Sequence, residues 1–361
     1  MINFRPVSSF IDGRNNNYNL LRLLAAGIIL YFHSFHLANG NGAHEKISQL
    51  LHINLGYLGV FIFFVTSGFL VTKSFVDRSN VLVFLTARIL RIFPALFFAV
   101  LFCIIIGMYF THLDIASYVH HDLTKSFFWG NCLLIGNKAL NSVTYSLPGV
   151  FADSPSPYNV NGSLWTLPYE LKLYLTVALL GVFSLLNYKS VCNLLYLAIV
   201  LWYFFAPTEF LAMNRSIQAL FFAFSSGGFV YINRDIIPLN TWIFAGLFLV
   251  CLLTYNSKYY ALATDATLVY SVFWFAYVPS GWVRTYNSLG DYSYGIYIYA
   301  FPIQQSIVAL VPDVGLYQMI LVAFPLTLIM AILSWHVIEK PALRCKGIVH
   351  KLLCNSPLMP S

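Results

Sequence analysis

Charge is what this chain lacks. Only 9% of its 361 residues are charged while 59% are hydrophobic, against roughly 25% charged in a soluble protein. So few charges cannot cover a soluble globule, and the composition identifies an integral membrane protein. Basic runs of the kind that grip nucleic acid are missing, and the net charge of +7 is spread thinly, which excludes a nucleic-acid partner. The six cysteines, at 103, 132, 192, 251, 345 and 354, form no CxxC pair, so neither a zinc site nor a disulfide framework is indicated. No inverted repeat of the sort found in many secondary transporters is visible. The first apolar stretch follows "GRNNNYNLLR" and precedes no small-residue cleavage site, which reads as a retained helix rather than a signal peptide.

What the chain has instead is a series of apolar runs. Spanning a bilayer takes about 20 mostly apolar residues. Candidate helices lie near 19–38, 57–76, 89–111, 168–187, 191–206, 215–232, 239–256, 265–280, 289–310 and 316–338. The expected fold is therefore all-α, a polytopic bundle of about ten transmembrane helices. It forms a single domain over 1–361 with no appended soluble domain. With the N-terminus inside, 14 of the 20 Lys and Arg residues fall on the cytoplasmic side, which puts both termini there. Glu45, Asp114, Asp122, Asp153, Glu209, Asp265 and Asp313 lean to the other side. So does the longest loop, about 112–163, whose Pro, Asn and Ser content argues against another plain helix.

Three groups of polar residues stand out. In "RLLAAGIILYFHSFH", Arg22 and His33 are eleven residues apart, about three turns and about 16 Å along one helical face. His36 falls near the same stripe, as does Asn15 below it. Ionisable groups that face lipid cost several kcal/mol, so the stripe must face the bundle interior or a cavity. Imidazole moves protons near neutral pH and can also accept an acyl group. In "TARILRIFPAL", Arg88 and Arg91 share one face, either as a positive-inside anchor or as a clamp for phosphates. In "NGSLWTLPYELKLY", Glu170 enters an apolar helix behind Pro168. Its carboxylate suits orienting an imidazole or receiving a sugar hydroxyl, or simply pairing with Lys172 or backbone amides.

Taken in order, these segments resemble the acyltransferase type 3 family of membrane O-acyltransferases over nearly the whole chain. "NNNYNLLRLLAAGIILYFHSFH" is similar to the family's first helix, with Arg22 and His33, and "GYLGVFIFFVTSGFLVTKSF" to its second. "ARILRIFPAL" carries its Arg-x-x-Arg motif. "YSLPGVF", "NGSLWTLPYEL", "YSYGIYIYAFPIQQS" and "SWHVIEKPALR" come after these in sequence. One departure is Ala300, where many members carry a histidine in the ninth helix.

The resemblance implies acyl transfer, most often of acetyl, from cytoplasmic acyl-CoA to a hydroxyl of a glycan or lipid-linked sugar on the outer side. The setting it implies is a bacterial cytoplasmic membrane, near surface-polysaccharide functions such as O-antigen or exopolysaccharide modification. It assigns catalysis to His33 with Glu170, and acyl-CoA binding to Arg88, Arg91 and Arg22. Acyl-CoA serves as a donor substrate, with no bound cofactor and no metal. Two rivals stay open on the residues alone. A proton-coupled secondary transporter would use the same intramembrane groups without releasing CoA thiol, and a scaffolding protein would need no chemistry at His33.

Overall fold

In a computed structural model the described residues are mainly helical. Residues 5–11, 13, 15–40, 43–78, 80–134, 144–206 and 214–354 are described, without side chains beyond 347. Arg14, Lys138, Glu209 and the side chains of Lys351 and Cys354 lie outside them. The helices are α1 (Tyr18–Asn39), α2 (Lys46–Leu51), α3 (Leu55–Val76), α4 (Val81–Phe110), α5 (Ile115–His120), α6 (Asp122–Cys132) and α7 (Leu167–Val182). They continue with α8 (Lys189–Phe205), α9 (Arg215–Ile232), α10 (Thr241–Leu253), α11 (Tyr260–Tyr277), α12 (Ser293–Leu310), α13 (Leu316–Ser334) and α14 (Lys340–Cys354). Among the described residues the strands are two short segments, β1 (Arg5–Pro6) and β2 (Pro238–Leu239), paired antiparallel.

All ten apolar segments expected from the sequence contain a helix, because each is predominantly apolar. Length separates them. Among the described residues, four helical stretches are long and apolar enough to cross a membrane, α1, α3, α4 and the Leu316–Gly347 run through α13. A fifth arises if α11 and the 3₁₀ turn at Gly281–Ser288, bent by 85°, count as one broken span. The 13 residues of α10 reach only about 20 Å, against a hydrocarbon core of about 30 Å.

The loop at 112–163 is not one plain helix, as its composition argues, and it contains two short helices, α5 and α6. Each short helix is started by a side-chain cap. Asp114 accepts from the Ser117 amide at 3.0 Å, and the His121 ring accepts from the Leu123 amide at 3.1 Å. Likewise α1 begins at Tyr18, so Asn15 precedes the helix and is exposed, whereas Asn17 is buried. Asn17 donates to the carbonyls of Phe275 and Pro279, both at 2.9 Å.

The chain forms two compact units. The first comprises residues 1–25, 57–81 and 173–291. At its centre α3 and α9 touch backbone to backbone. A side chain on Gly68 would collide with the Phe224 carbonyl, and one on Gly227 with the Val65 carbonyl. Small residues permit that approach. Phe69, fully buried, packs beside it against Tyr231 and Phe273. Asp265 of α11 is buried here too, where Tyr57 donates to it at 3.0 Å.

The second unit comprises residues 26–56, 82–172 and 292–361. Here α12 and α13 pack closely, with Gly295 against Ala331. Between α13 and α14 the chain makes one π-helical turn, Trp335–Glu339. Such a turn adds a residue to the helical repeat and rotates the side chains of α14 relative to those of α13, and Glu339 is left 2% exposed.

Candidate active site

The site is built in the second unit around α12, which meets α1 and the end of the long loop. Gln304 and Gln305, both fully buried, are its two grips. The Gln304 amide donates to the Leu30 carbonyl at 2.7 Å and to the Ser34 hydroxyl at 2.6 Å. This fixes the turn of α1 that carries His33. The Gln305 amide donates to the carbonyls of Ser156 and Asn159, at 2.8 and 2.7 Å. Its own oxygen accepts from the Ser154 hydroxyl. Three contacts from one side chain hold this loop in place, where loop backbone would otherwise lack partners.

Between these grips lies a cavity of about 290 Å³ lined by Phe32, His33, His36, Leu37, Ser156, Asn159, Gly162 and Phe301. Phe301 stands edge-on to the His33 ring at 4.9 Å, and Phe32 packs against the other imidazole, His36, at 4.4 Å. Gly162 is needed where it is: a side chain there would meet the Asn159 amide at 2.9 Å and the Phe301 ring at 3.1 Å. His33 lines this cavity and has no hydrogen-bond partner among the described residues. An imidazole in that condition can take a proton from a hydroxyl or be acylated.

The other expected site residues take separate positions. Glu170, in the first turn of α7, is half-buried and does not line the cavity. Its electrostatic neighbour is Tyr297, whose hydroxyl is 2.7 Å from that of Thr166. No carboxylate among the described residues orients the His33 ring. Arg91 forms a part-buried ion pair with Glu339, Nη1 to Oε2 at 3.2 Å, and its guanidinium lies over the Tyr294 ring. Arg88, one turn earlier on α4, lies over Phe84. Arg22 belongs to the first unit, where it pairs with Asp291 at 3.7 Å and lies over Phe63. Arg22 and His33 thus share a helix but not a pocket. Beside His33 stands Phe301 rather than its neighbour Ala300.

Sequence reasoning missed Glu339, Asp291, Gln304, Gln305, Ser156 and Asn159 as site-builders. A signal existed for Glu339 and the glutamines, which are polar residues inside otherwise apolar helices and must find partners there. None existed for the loop residues, whose importance comes from which helix their backbone meets.

Residues 15–339 match the family model described as an acyltransferase domain, type 3. A protein of Shigella phage Sf6 named "O-acetyl transferase" is 28% identical, covering 91% of this chain and 96% of its own length. "Nodulation protein 10" of Rhizobium leguminosarum bv. viciae is 25% identical, covering 94% and 96% respectively. No solved structure matches the chain.

Proposed function

The chain belongs to the acyltransferase type 3 family, and from that premise we propose that it is a membrane O-acetyltransferase. It moves an acetyl group from cytoplasmic acetyl-CoA to a hydroxyl of a glycan or glycolipid on the outer side of a bacterial cytoplasmic membrane. The observation that carries this reading is His33 lining a cavity with no hydrogen-bond partner among the described residues, inside a chain that matches the family across 15–339. The name of the phage relative supports the acetyl group. The positive-inside distribution supports about ten spans in one acyltransferase domain, with both termini in the cytoplasm.

In the direct scheme His33 takes the proton of the acceptor hydroxyl as that oxygen attacks the thioester carbonyl. The C–O bond forms, the C–S bond breaks, and His33 returns the proton to the departing sulfur, so CoA leaves as the thiol. Removing such a base costs about 10²–10⁴-fold. Arg88 and Arg91 hold the CoA phosphates. Glu339 orients the Arg91 guanidinium, whose five donors can serve a carboxylate and a phosphate together. Arg22, tied to Asp291, supports the cytoplasmic end of α1. Glu170 acts on the acceptor rather than on His33. A relay through acetyl-His33 is the other order of the same events.

The test places wild-type and His33→Ala proteins in sealed membranes with labelled acetyl-CoA on the cytoplasmic side and envelope glycan on the other. Thiol release with label on glycan, lost in the variant, is the expected result. Folded protein that releases no thiol with any acyl-CoA or acceptor would move the assignment to a transporter. Label on His33 before acceptor is added would establish the relay.

A further inference from the structure

The His33 cavity contains a second imidazole for which the acyl-transfer scheme has no task. His36 is one helical turn beyond His33 on α1 and lines the same 290 Å³ space. Its ring packs against Phe32 at 4.4 Å and is edge-on to Phe35 at 5.5 Å. Glu45 is within electrostatic reach of the ring. A neutral imidazole donates from one ring nitrogen and accepts at the other, so a neutral His36 carries one acceptor nitrogen.

The cavity is thus lined by two histidines, Ser156 and Asn159, beside Phe32 and Phe301. Several hydrogen-bonding groups beside aromatic rings suit a polyol, which carries hydroxyls around an apolar carbon frame. Two imidazoles three residues apart on a helix are neighbours on one face. They can therefore address two hydroxyls of one molecule.

We propose that His36 is a second substrate-binding imidazole in this cavity, accepting a hydrogen bond from an acceptor hydroxyl adjacent to the one that His33 deprotonates. The acceptor is then a sugar unit with neighbouring hydroxyls, not an isolated alcohol. This rests on the acyl-transfer reading of the site. His33 performs the proton transfer, and His36 sets which hydroxyl faces it.

The experiment compares wild type, His36→Phe and His36→Gln in membranes, with envelope polysaccharide from cells lacking the protein as acceptor. Phenylalanine keeps the ring packing on Phe32 and Phe35 without an acceptor atom, and glutamine restores an acceptor oxygen. His36→Phe should raise KM for the polysaccharide about tenfold, the worth of one good hydrogen bond, and leave KM for acetyl-CoA unchanged. His36→Gln should stay within about threefold of wild type. An unchanged polysaccharide KM in His36→Phe overturns the inference, as does equal impairment of both variants or a shared rise in the acetyl-CoA KM. Absence of transfer by the wild-type protein overturns the acyl-transfer reading itself, and His36 falls with it.

Discussion

The side-chain amide of Asn161 donates to the carbonyl of Ile298 at 2.8 Å. That carbonyl lies four residues before Pro302, which has no N–H to give it. The proline inside α12 therefore creates the acceptor that docks the segment entering α7. Asn161 also caps the 3₁₀ turn at Gly162–Thr166, its oxygen accepting from the Ser163 amide at 3.2 Å. One side chain ties the Pro-containing helix to the loop end that lines the cavity. Replacing it with alanine should cost about 1–3 kcal/mol, because a buried carbonyl loses its partner. Asn161→Asp keeps the cap but cannot donate, so it should be nearly as unstable in thermal unfolding in detergent. Wild-type stability in Asn161→Asp would show that the Ile298 bond carries no weight.

Gln305 should matter to the acceptor and not to the donor. Gln305→Leu is similar in volume but leaves the Ser156 and Asn159 carbonyls without their donor. The loop wall then loosens, and the expected effect is a rise in acceptor KM of about tenfold or more with the acetyl-CoA KM unchanged. Steady-state kinetics with each substrate varied in turn provides the check.

In the Arg91–Glu339 pair the carboxylate is buried and the guanidinium half-buried, with side-chain exposures of 2% and 15%. Removing one member strands the other's charge, at about 3–5 kcal/mol. Arg91→Ala and Glu339→Ala should each destabilise strongly, while Arg91→Met/Glu339→Leu should recover much of the stability. If the pair also organises acyl-CoA binding, the double variant will fold yet bind acetyl-CoA poorly. Calorimetric titration of the folded double variant with CoA separates the two effects.

The contact between α3 and α9 leaves no room for a side chain at Gly68. Gly68→Val drives a branched side chain into the Phe224 backbone. It should cost about 1–3 kcal/mol, the range for overpacking a core, with a matching drop in monodisperse protein on size exclusion. Gly246→Ala, which meets nothing within 4 Å, serves as the neutral comparison.

Acid should weaken the start of α2 through Glu45. Burial of this carboxyl by itself pushes its pKa up, but hydrogen bonds from the Ser48 hydroxyl, the Ser48 and Ile47 amides and Tyr31 outweigh it. The group is held below the usual carboxylate range. A depressed folded-state pKa contributes stability that is full above the ordinary value, about 4.3, and is lost as pH falls through the lower folded value. Hydrogen-exchange protection factors in α2, taken relative to the intrinsic rate at each pH, should fall in the wild type as pH drops below the ordinary carboxylate value. In Glu45→Gln they should be lower at neutral pH and lack that acid-induced fall.

Several features were legible in the residues alone. Runs such as 19–38 and 215–232 are helical because the backbone of an apolar segment satisfies itself only as a helix in lipid, and their bounds fall within a few residues of α1 and α9. The spacing of His33 and His36 predicts one shared face, and both line one cavity. The short capped helices α5 and α6 were hidden because polar composition argues for coil, while the signals that start them, Asp114 and His121, are single residues.

What the sequence by itself determined is the class of environment, the positions of the apolar helices, the family and the place of His33 and His36 on one helical face. These depend on local composition and on the order of motifs along the chain. Only the tertiary structure decided who meets whom. Arg91 meets Glu339 across 248 residues and Gln304 meets Ser34 across 270, and Asn161 answers a carbonyl freed by a proline 141 positions later. A hydrogen bond reads distance in space, and separation along the chain does not encode it.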